Sequence, residues 1–289
     1  VITGPTMRRR QLGAALKQLR LAADVTMATA AATIDCAKSK ISHLETGRNP
    51  PRKLELQALL QLYGAPKESY ATLERIRGEA NARGWWSTQK LPAWLGVYVG
   101  LEADAVTLRS FDGEVIPGLL QTEGYSRATH VAAAHMARAD EIDRLVETRR
   151  RRALRLTSDE RPLDFRAVVS EAAIRRAQGL GEAGTQQLRH LLDLAHRENI
   201  HLQILPLSTG LHASMGGSFV LLSFPGDEAL PAAYQEYSAG GQVADDHDIV
   251  NGLFSAWETL HAQALTEPGS TRWLQRALDG TDSPGDDDG

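Results

Sequence analysis

A single cysteine, Cys36, among 289 residues rules out an internal disulfide. Aromatic residues make up only 6% of the chain, and no run of about 18 apolar residues occurs, so no membrane-spanning helix and no membrane partner are expected. Val1–Thr6 lacks the apolar core of a secretory leader, and a cytoplasmic protein is the expectation. Phosphate loops, nucleophile elbows, zinc-metalloprotease motifs and Cys-x-x-Cys pairs are all missing. Neither catalysis nor a cofactor nor a metal is therefore expected. No internal repeat is visible.

What is present is ordinary for a globular protein, with 42% hydrophobic and 24% charged residues. The length is about twice that of a common domain, so two domains are expected. The net charge of −4 conceals an asymmetry. Residues 1–65 hold ten Lys/Arg against four Asp/Glu, which leaves −10 for the remainder. Such a chain suits a protein that presents one end to a polyanion and keeps the other away from it.

Within the basic segment, Leu12, Ala15, Leu16 and Leu19 recur at helical spacing over Arg9–Ala22. Thr26 is placed to cap a second helix over Met27–Thr33. A short turn leads to Lys38–Thr46, where Ile41 and Leu44 face inward and Lys38, Ser39, Ser42 and His43 face outward. Gly47 is placed as a left-handed cap, and Asn49-Pro50-Pro51 forbids continuation. Lys53–Tyr63 then supplies a leucine-rich helix that closes a small core. Two short helices joined by a tight turn, the second polar on its outer face, match the geometry that enters a DNA major groove.

The stretch from Ala37 to Arg48, AKSKISHLETGR, resembles the third-helix pattern of XRE-type, lambda-repressor-like repressors, with Ile41, Ser42, Glu45 and Gly47 in register. The resemblance implies a five-helix, all-α DNA-binding domain. It places Lys38, Ser39 and Lys40 at the opening of the recognition helix, Ser42 and His43 one turn on, and Thr46, Arg48 and Asn49 near phosphates. Thr26 and Met27 open the preceding helix, where the family contacts the backbone. Two residues depart from the pattern: Ala37 stands where a capping serine is usual, and Met27 where glutamine is common. Arg8, Arg9 and Arg10 are read as a basic N-terminal arm that supplies phosphate contacts instead, with Lys53 as a further candidate. Lys38, Lys40 and His43 would also suit a plain solvated face, but the helix layout, the Glu-x-Gly stop and the local charge favour DNA. Cys36 is read as a packing residue rather than a redox sensor, and Glu45 as an ion-pair partner for Arg20.

Behind this domain, 66–84 reads as a charged linker helix that ends at Gly84. Trp85, Trp86, Trp94 and Tyr98 cluster next, either around a ligand or as a structural plug. Residues 85–281 mix helices (Asp140–Leu156, Thr185–Glu198, Asp245–Ala264) with strands (Leu163–Val169, His201–Leu205, Ser218–Phe224, Ala232–Tyr237). The first two strands are expected to be parallel and the last two antiparallel, giving an α+β domain with a small mixed sheet. Residues 282–289 read as an acidic, disordered tail.

Glu114–Tyr125, EVIPGLLQTEGY, resembles the V-P-G-L-L-Q-T-x-x-Y signature of the large C-terminal domain of actinobacterial, antitoxin-like regulators. Further matches follow in order, among them Arg149–Arg152, Ser170–Arg176 and Gln235–Tyr237. The resemblance implies a transcriptional regulator, often encoded beside a small partner protein; the expectation is a homodimer on double-stranded DNA whose second domain serves dimerisation, sensing of a small-molecule ligand, or binding of that small protein. Asp245-Asp246-His247-Asp248 has metal-ligating side chains, but four consecutive positions cannot converge on one ion, and acids are favoured at a helix start. Glu171, Glu236 and His212 are the residues an enzymatic reading would need to find together. Arg149 falls on the apolar stripe of its helix and requires a buried partner, for which Glu171 is the expectation.

Overall fold

The computed structural model describes residues 4–82, 84–133, 139–226 and 230–280. The acidic tail expected at 282–289 lies outside the described residues. The chain divides into two compact units, the first comprising residues 1–104 with 225–229 and the second residues 105–224 with 230–289.

The first unit is helical: α1 (Pro5–Ala22), α2 (Met27–Thr33), α3 (Lys38–Glu45), α4 (Lys53–Leu62), α5 (Lys67–Ala80) and α6 (Ala93–Asp104). Local signals set the ends. Pro5 opens α1, where its missing N–H costs nothing. The Thr26 hydroxyl accepts from the Thr29 N–H at 3.1 Å to cap α2. At the start of α4 the Glu55 carboxylate accepts from the Arg52 N–H at 2.9 Å. Leu12, Leu16, Ala30, Ile41, Leu44, Leu56, Leu59 and Leu60 form one buried core. Helices α1 and α3 approach closely, since a Cβ on Gly13 would stand 2.6 Å from the carbonyl oxygens of Leu44 and Glu45. Only glycine permits that approach.

The helix expected to link two domains is instead part of this bundle. Leu73 of α5 is buried in the shared core, the Arg9 Nε donates to the Ala80 carbonyl at 2.9 Å, and Arg8 pairs with Glu79 at 2.6 Å. Of the α5 charges, Glu79 is thus held by α1, while Arg75 pairs with Glu79 and Arg77 with Glu74 within α5 itself. The unit then extends through α6, which buries Tyr98, Val99 and Leu101. Asp104, the last residue of α6, accepts from the Met7 N–H at 2.8 Å in the first turn of α1. A carboxylate at a helix N-terminus is stabilising.

The second unit is α+β. Its sheet contains β1 (Thr107–Asp112), β2 (Asp164–Ser170), β3 (Ile200–Leu205), β4 (Phe219–Ser223), β5 (Ala232–Tyr237) and β6 (Gly240–Ala244), in the order β3-β2-β1-β4-β5-β6. The β1–β2 and β2–β3 pairs are parallel and the remaining three antiparallel. Parallel neighbours require crossovers. Helices α7 (Glu123–Ala133) and α8 (Ala139–Ala153) lie between β1 and β2 in the chain, and α9 (Glu171–Gln178) and α10 (Glu182–Leu194) between β2 and β3.

Helix α11 (His247–Gln263) covers one sheet face, where Phe111, Val168, Phe219 and Leu221 meet Val250, Trp257 and Leu260. The α11–α12 connection and α12 (Glu267–Asp279) close the β3 edge: Leu265 N–H donates to the Ile204 carbonyl, and Ser270 Oγ accepts from the Ile204 N–H, each at 2.9 Å. That edge offers no template for further pairing at Ile204. No helix among the described residues is long and apolar enough to cross a membrane.

Candidate nucleic-acid interface

Helices α2 and α3, joined by residues 34–37, form a helix-turn-helix. Ile41 and Leu44 of α3 are buried in the core, while Lys38, Ser39, Thr46, Arg48 and Asn49 are exposed and Ser42 and His43 half-buried. Glu45 is buried and pairs with Arg20 of α1 through both oxygens, at 2.5 Å from Nε and 3.0 Å from Nη2. The pairing expected between helices one and three is therefore present and bidentate, which fixes the rotation of α3 about its own axis. The third Arg20 nitrogen donates to the Val25 carbonyl at 2.9 Å, just ahead of α2. A single guanidinium thus ties α1 to both helices of the motif.

The end of α3 is set as its sequence anticipates. Gly47 has φ +68, and the Arg48 N–H returns to the His43 carbonyl at 2.9 Å. A Cβ on Gly47 would also stand 2.8 Å from the backbone of Arg10, so this glycine serves both conformation and packing. Ala37 caps α3 without any side-chain hydrogen bond.

Several expected contact residues are occupied elsewhere. The basic arm does not exist as an arm, because α1 starts at Pro5 and Arg8–Arg10 lie on its first turns. Arg8 is held by Glu79, and Arg9 donates to the carbonyls of Ala80 and Ala82 at the end of α5. Burial lowers the pKa of the Arg9 guanidinium, with the Asp104 carboxylate opposing. Lys40 pairs with Glu55 at 2.6 Å, joining α3 to α4. Met27 and Cys36 pack half-buried against the core. Sequence periodicity identifies which residues are basic but not which carbonyls and carboxylates tertiary structure brings to them.

The tryptophan cluster is only partly a cluster. Trp85 and Trp86 stack edge to face at 6.1 Å, and Trp86 lies against Gly100 of α6. Tyr98 is buried and Trp94 half-buried on α6. This is packing within the first unit.

Residues 11–83 match the family model described as a helix-turn-helix domain. Residues 95–276, more than half of the chain, match the model described as a domain of unknown function, DUF5753. The chain belongs to the DUF5753 family. No curated protein and no solved structure matches it.

In the DUF5753 region the residues that an enzymatic reading needs have other partners. Glu171, the first residue of α9, holds Arg175 at 2.6 Å and accepts from the Leu207 N–H at 2.8 Å. Glu236 accepts from the Tyr234 hydroxyl at 3.0 Å, and the His212 ring packs against Phe111 with centroids 5.1 Å apart. Asp246 caps α11 by accepting from the Asp248 and Ile249 N–H groups. No group of three or more metal-ligating side chains occurs among the described residues.

The Arg149–Glu171 pairing is not found. Arg149 Nη1 donates instead to neutral oxygens, Gln121 Oε1 at 2.5 Å and Thr129 Oγ1 at 3.2 Å. Gln121 belongs to the stretch Glu114–Tyr125, so the two motifs that the sequence presents separately meet in space. Sequence reasoning looked for an acid and missed the amide.

Proposed function

We propose that this DUF5753 protein is a sequence-specific transcriptional regulator that binds double-stranded DNA as a homodimer through α3, with its second unit controlling that activity. The observation that carries the reading is the division of α3 into two sides. Ile41, Leu44 and Glu45 lock one side to the bundle, and Lys38, Ser39, Ser42 and His43 stand on the other. A polar helix face held rigidly at the surface is what base readout in the major groove requires, while Arg48 and Asn49 at the end of α3 suit phosphates. With Arg8 and Arg9 engaged by α5 and the partly exposed Lys40 paired with Glu55, the electrostatic share of binding is assigned to Lys38, Arg48 and Lys53.

Lys38→Ala with Ser39→Ala is expected to reduce the ratio of operator to random-DNA affinity at least tenfold, since one good base contact supplies ~1–3 kcal/mol of discrimination. Arg48→Ala should weaken binding to all sequences alike and lower the salt slope by about one. Footprinting of the protein on its own promoter, followed by binding titrations, provides the measurement. Unchanged discrimination in the double variant would remove α3 from the readout.

A second reading, that the protein chiefly holds a small, neighbour-encoded protein in the manner of an antitoxin, draws on one feature. The connection between β3 and β4 exposes Leu207, Leu211 and Met215, with Leu211 84% exposed. Exposed apolar side chains grouped on one loop suit a protein contact. Co-expression with the product of the adjacent gene should then yield a complex larger than the homodimer by light scattering, and a lone homodimer throughout counts against this reading.

A further inference from the structure

The two edges of the six-stranded sheet are built differently. At the β3 edge both backbone groups of Ile204 are occupied, by Ser270 Oγ and by the Leu265 N–H. At the other edge β6, Gly240–Ala244, has no such cover. Among the described residues, none of its backbone groups is hydrogen-bonded outside the β5–β6 ladder. Its sequence, GGQVA, also lacks the charges and prolines with which natural edge strands discourage further pairing.

Register decides which of these groups face outward. Residues 238 and 239 form the two-residue turn between β5 and β6, and Tyr237 lies opposite Gly240. The pair that closes such a turn exchanges hydrogen bonds, and bonded and non-bonded pairs then alternate along an antiparallel ladder. Gln235–Gln242 and Ala233–Ala244 are therefore bonded pairs. Gly241 and Val243, opposite Glu236 and Tyr234, turn their N–H and C=O groups away from β5. Between them Gln242 is exposed, and its amide makes no hydrogen bond among the described residues. Gly241 has no side chain to screen its outward backbone.

This arrangement is self-complementary. A second β6 laid antiparallel about a two-fold axis at Gln242 sets Gly241 against the partner's Val243, and Val243 against the partner's Gly241, each as a bonded pair. Gln242 then meets the partner's Gln242 in the closer, non-bonded pair, where one primary amide can donate to and accept from the other. In the same register Asp245 and Asp246 fall beside the partner's Ala239 and Ser238, so no carboxylates are brought together. We propose that two copies of the chain join β6 to β6 about that axis, fusing their sheets into one. This rests on the reading of the regulator as a homodimer and names the surface that makes it. A pair of strands of 5 residues each buries less than a standard interface of roughly 1,600 Å², so the dimer is expected to dissociate in the micromolar range.

The test is sedimentation velocity of the full-length protein without DNA, across the micromolar range. Gln242→Lys and Gln242→Glu each set like charges opposite one another and are expected to raise the dissociation constant about tenfold or more. Mixing these two variants in equal amounts should restore association to at least the parent's strength, because only a position that meets its own copy gains from opposite charges on the two chains. Val243→Pro removes an outward N–H that β5 does not use, and should abolish dimerisation while circular dichroism shows the fold retained. Where the proline variant fails to fold, the mixture of the two Gln242 variants still decides. Gln242 variants that dimerise as well as the parent, or a mixture that associates no more tightly than either variant alone, overturn β6 as the contact and leave the homodimer reading standing. A parent that stays monomeric at hundreds of micromolar overturns both, and leaves the open edge to a strand of another protein.

Discussion

Glu45→Gln is expected to lower the free energy of unfolding of the helix-turn-helix unit by about 3–5 kcal/mol, the range for breaking a buried ion pair from one side. The expectation rests on burial. The side chains of Arg20 and Glu45 are only 7% and 4% exposed, so the guanidinium left behind could not recover its lost partner from water. The Glu45 hydrogen bond raises the pKa of the Arg20 guanidinium, against the opposing effect of burial. Tyr63 lies close enough that burial, and after it the Glu45 carboxylate, pushes its hydroxyl up to about 12. Urea unfolding followed by circular dichroism gives the number. A loss below about 1 kcal/mol would place the pair with exposed salt bridges, which contribute little.

A second variant separates charge from packing. Arg20→Met combined with Glu45→Leu should recover most of the lost stability, because two apolar side chains of similar volume leave no charge stranded. The same double variant is also informative about DNA. Since the bidentate pair sets the rotation of α3, the refolded double variant should be stable yet discriminate operator less well than the parent.

The helical unit was legible because its signals are local. Thr26 at the start of α2, Gly47 at the end of α3 and the leucines of α4 each act within a few residues, and each performs the expected role. The Arg20–Glu45 pair was legible for a different reason, that a charged residue on the buried side of a helix needs a partner. The failures are non-local. Helix α5 reads as a linker because only Leu73 and Ile76 break its polar pattern, and nothing in the sequence tells that Arg8 and Arg9 will meet its C-terminal end. In the second unit, β2 to β5 follow from apolar runs, whereas β1 and β6 were missed. Strand β1 carries Arg109 within it, which lies over the rings of Phe254 and Trp257 at 5.7 and 5.5 Å, so a charge that argues against a core strand is half-buried against aromatic faces from α11. Strand β6 starts Gly240-Gly241, a composition that argues for a turn, and a Cβ on Gly241 would stand 2.5 Å from the Tyr234 hydroxyl.

Between pH 4 and 6.5 two buried groups of the second unit are expected to pull stability in opposite directions. At the end of β1, burial pushes the Asp112 carboxyl up to about 7, with the Glu236 charge adding to the rise and the Ser110 hydroxyl opposing it. The folded protein keeps this proton where the unfolded chain, at about 3.9, has lost it. Stability from Asp112 is thus full below the unfolded value and declines as pH rises through 7. On α7, burial, and after it the positive charges of Arg149 and Arg152, pushes His130 down to about 4. The folded protein stays unprotonated there while the unfolded chain binds a proton near 6.5, so stability from His130 is full above that value and is lost as pH falls through 4. Within the shared window one term falls and the other rises by about 1.4 kcal/mol per pH unit, and they cancel. Asp112→Asn should remove the falling term, so that stability relative to the parent gains up to about 3 kcal/mol between pH 4.5 and 6.5. His130→Gln should change it by a similar amount in the other direction, and the double variant should restore the parent profile. Urea titrations at four values from pH 4.5 to 8 would resolve the slopes. Curves for Asp112→Asn and the parent that stay parallel across the window would mean that Asp112 ionises freely in the folded protein.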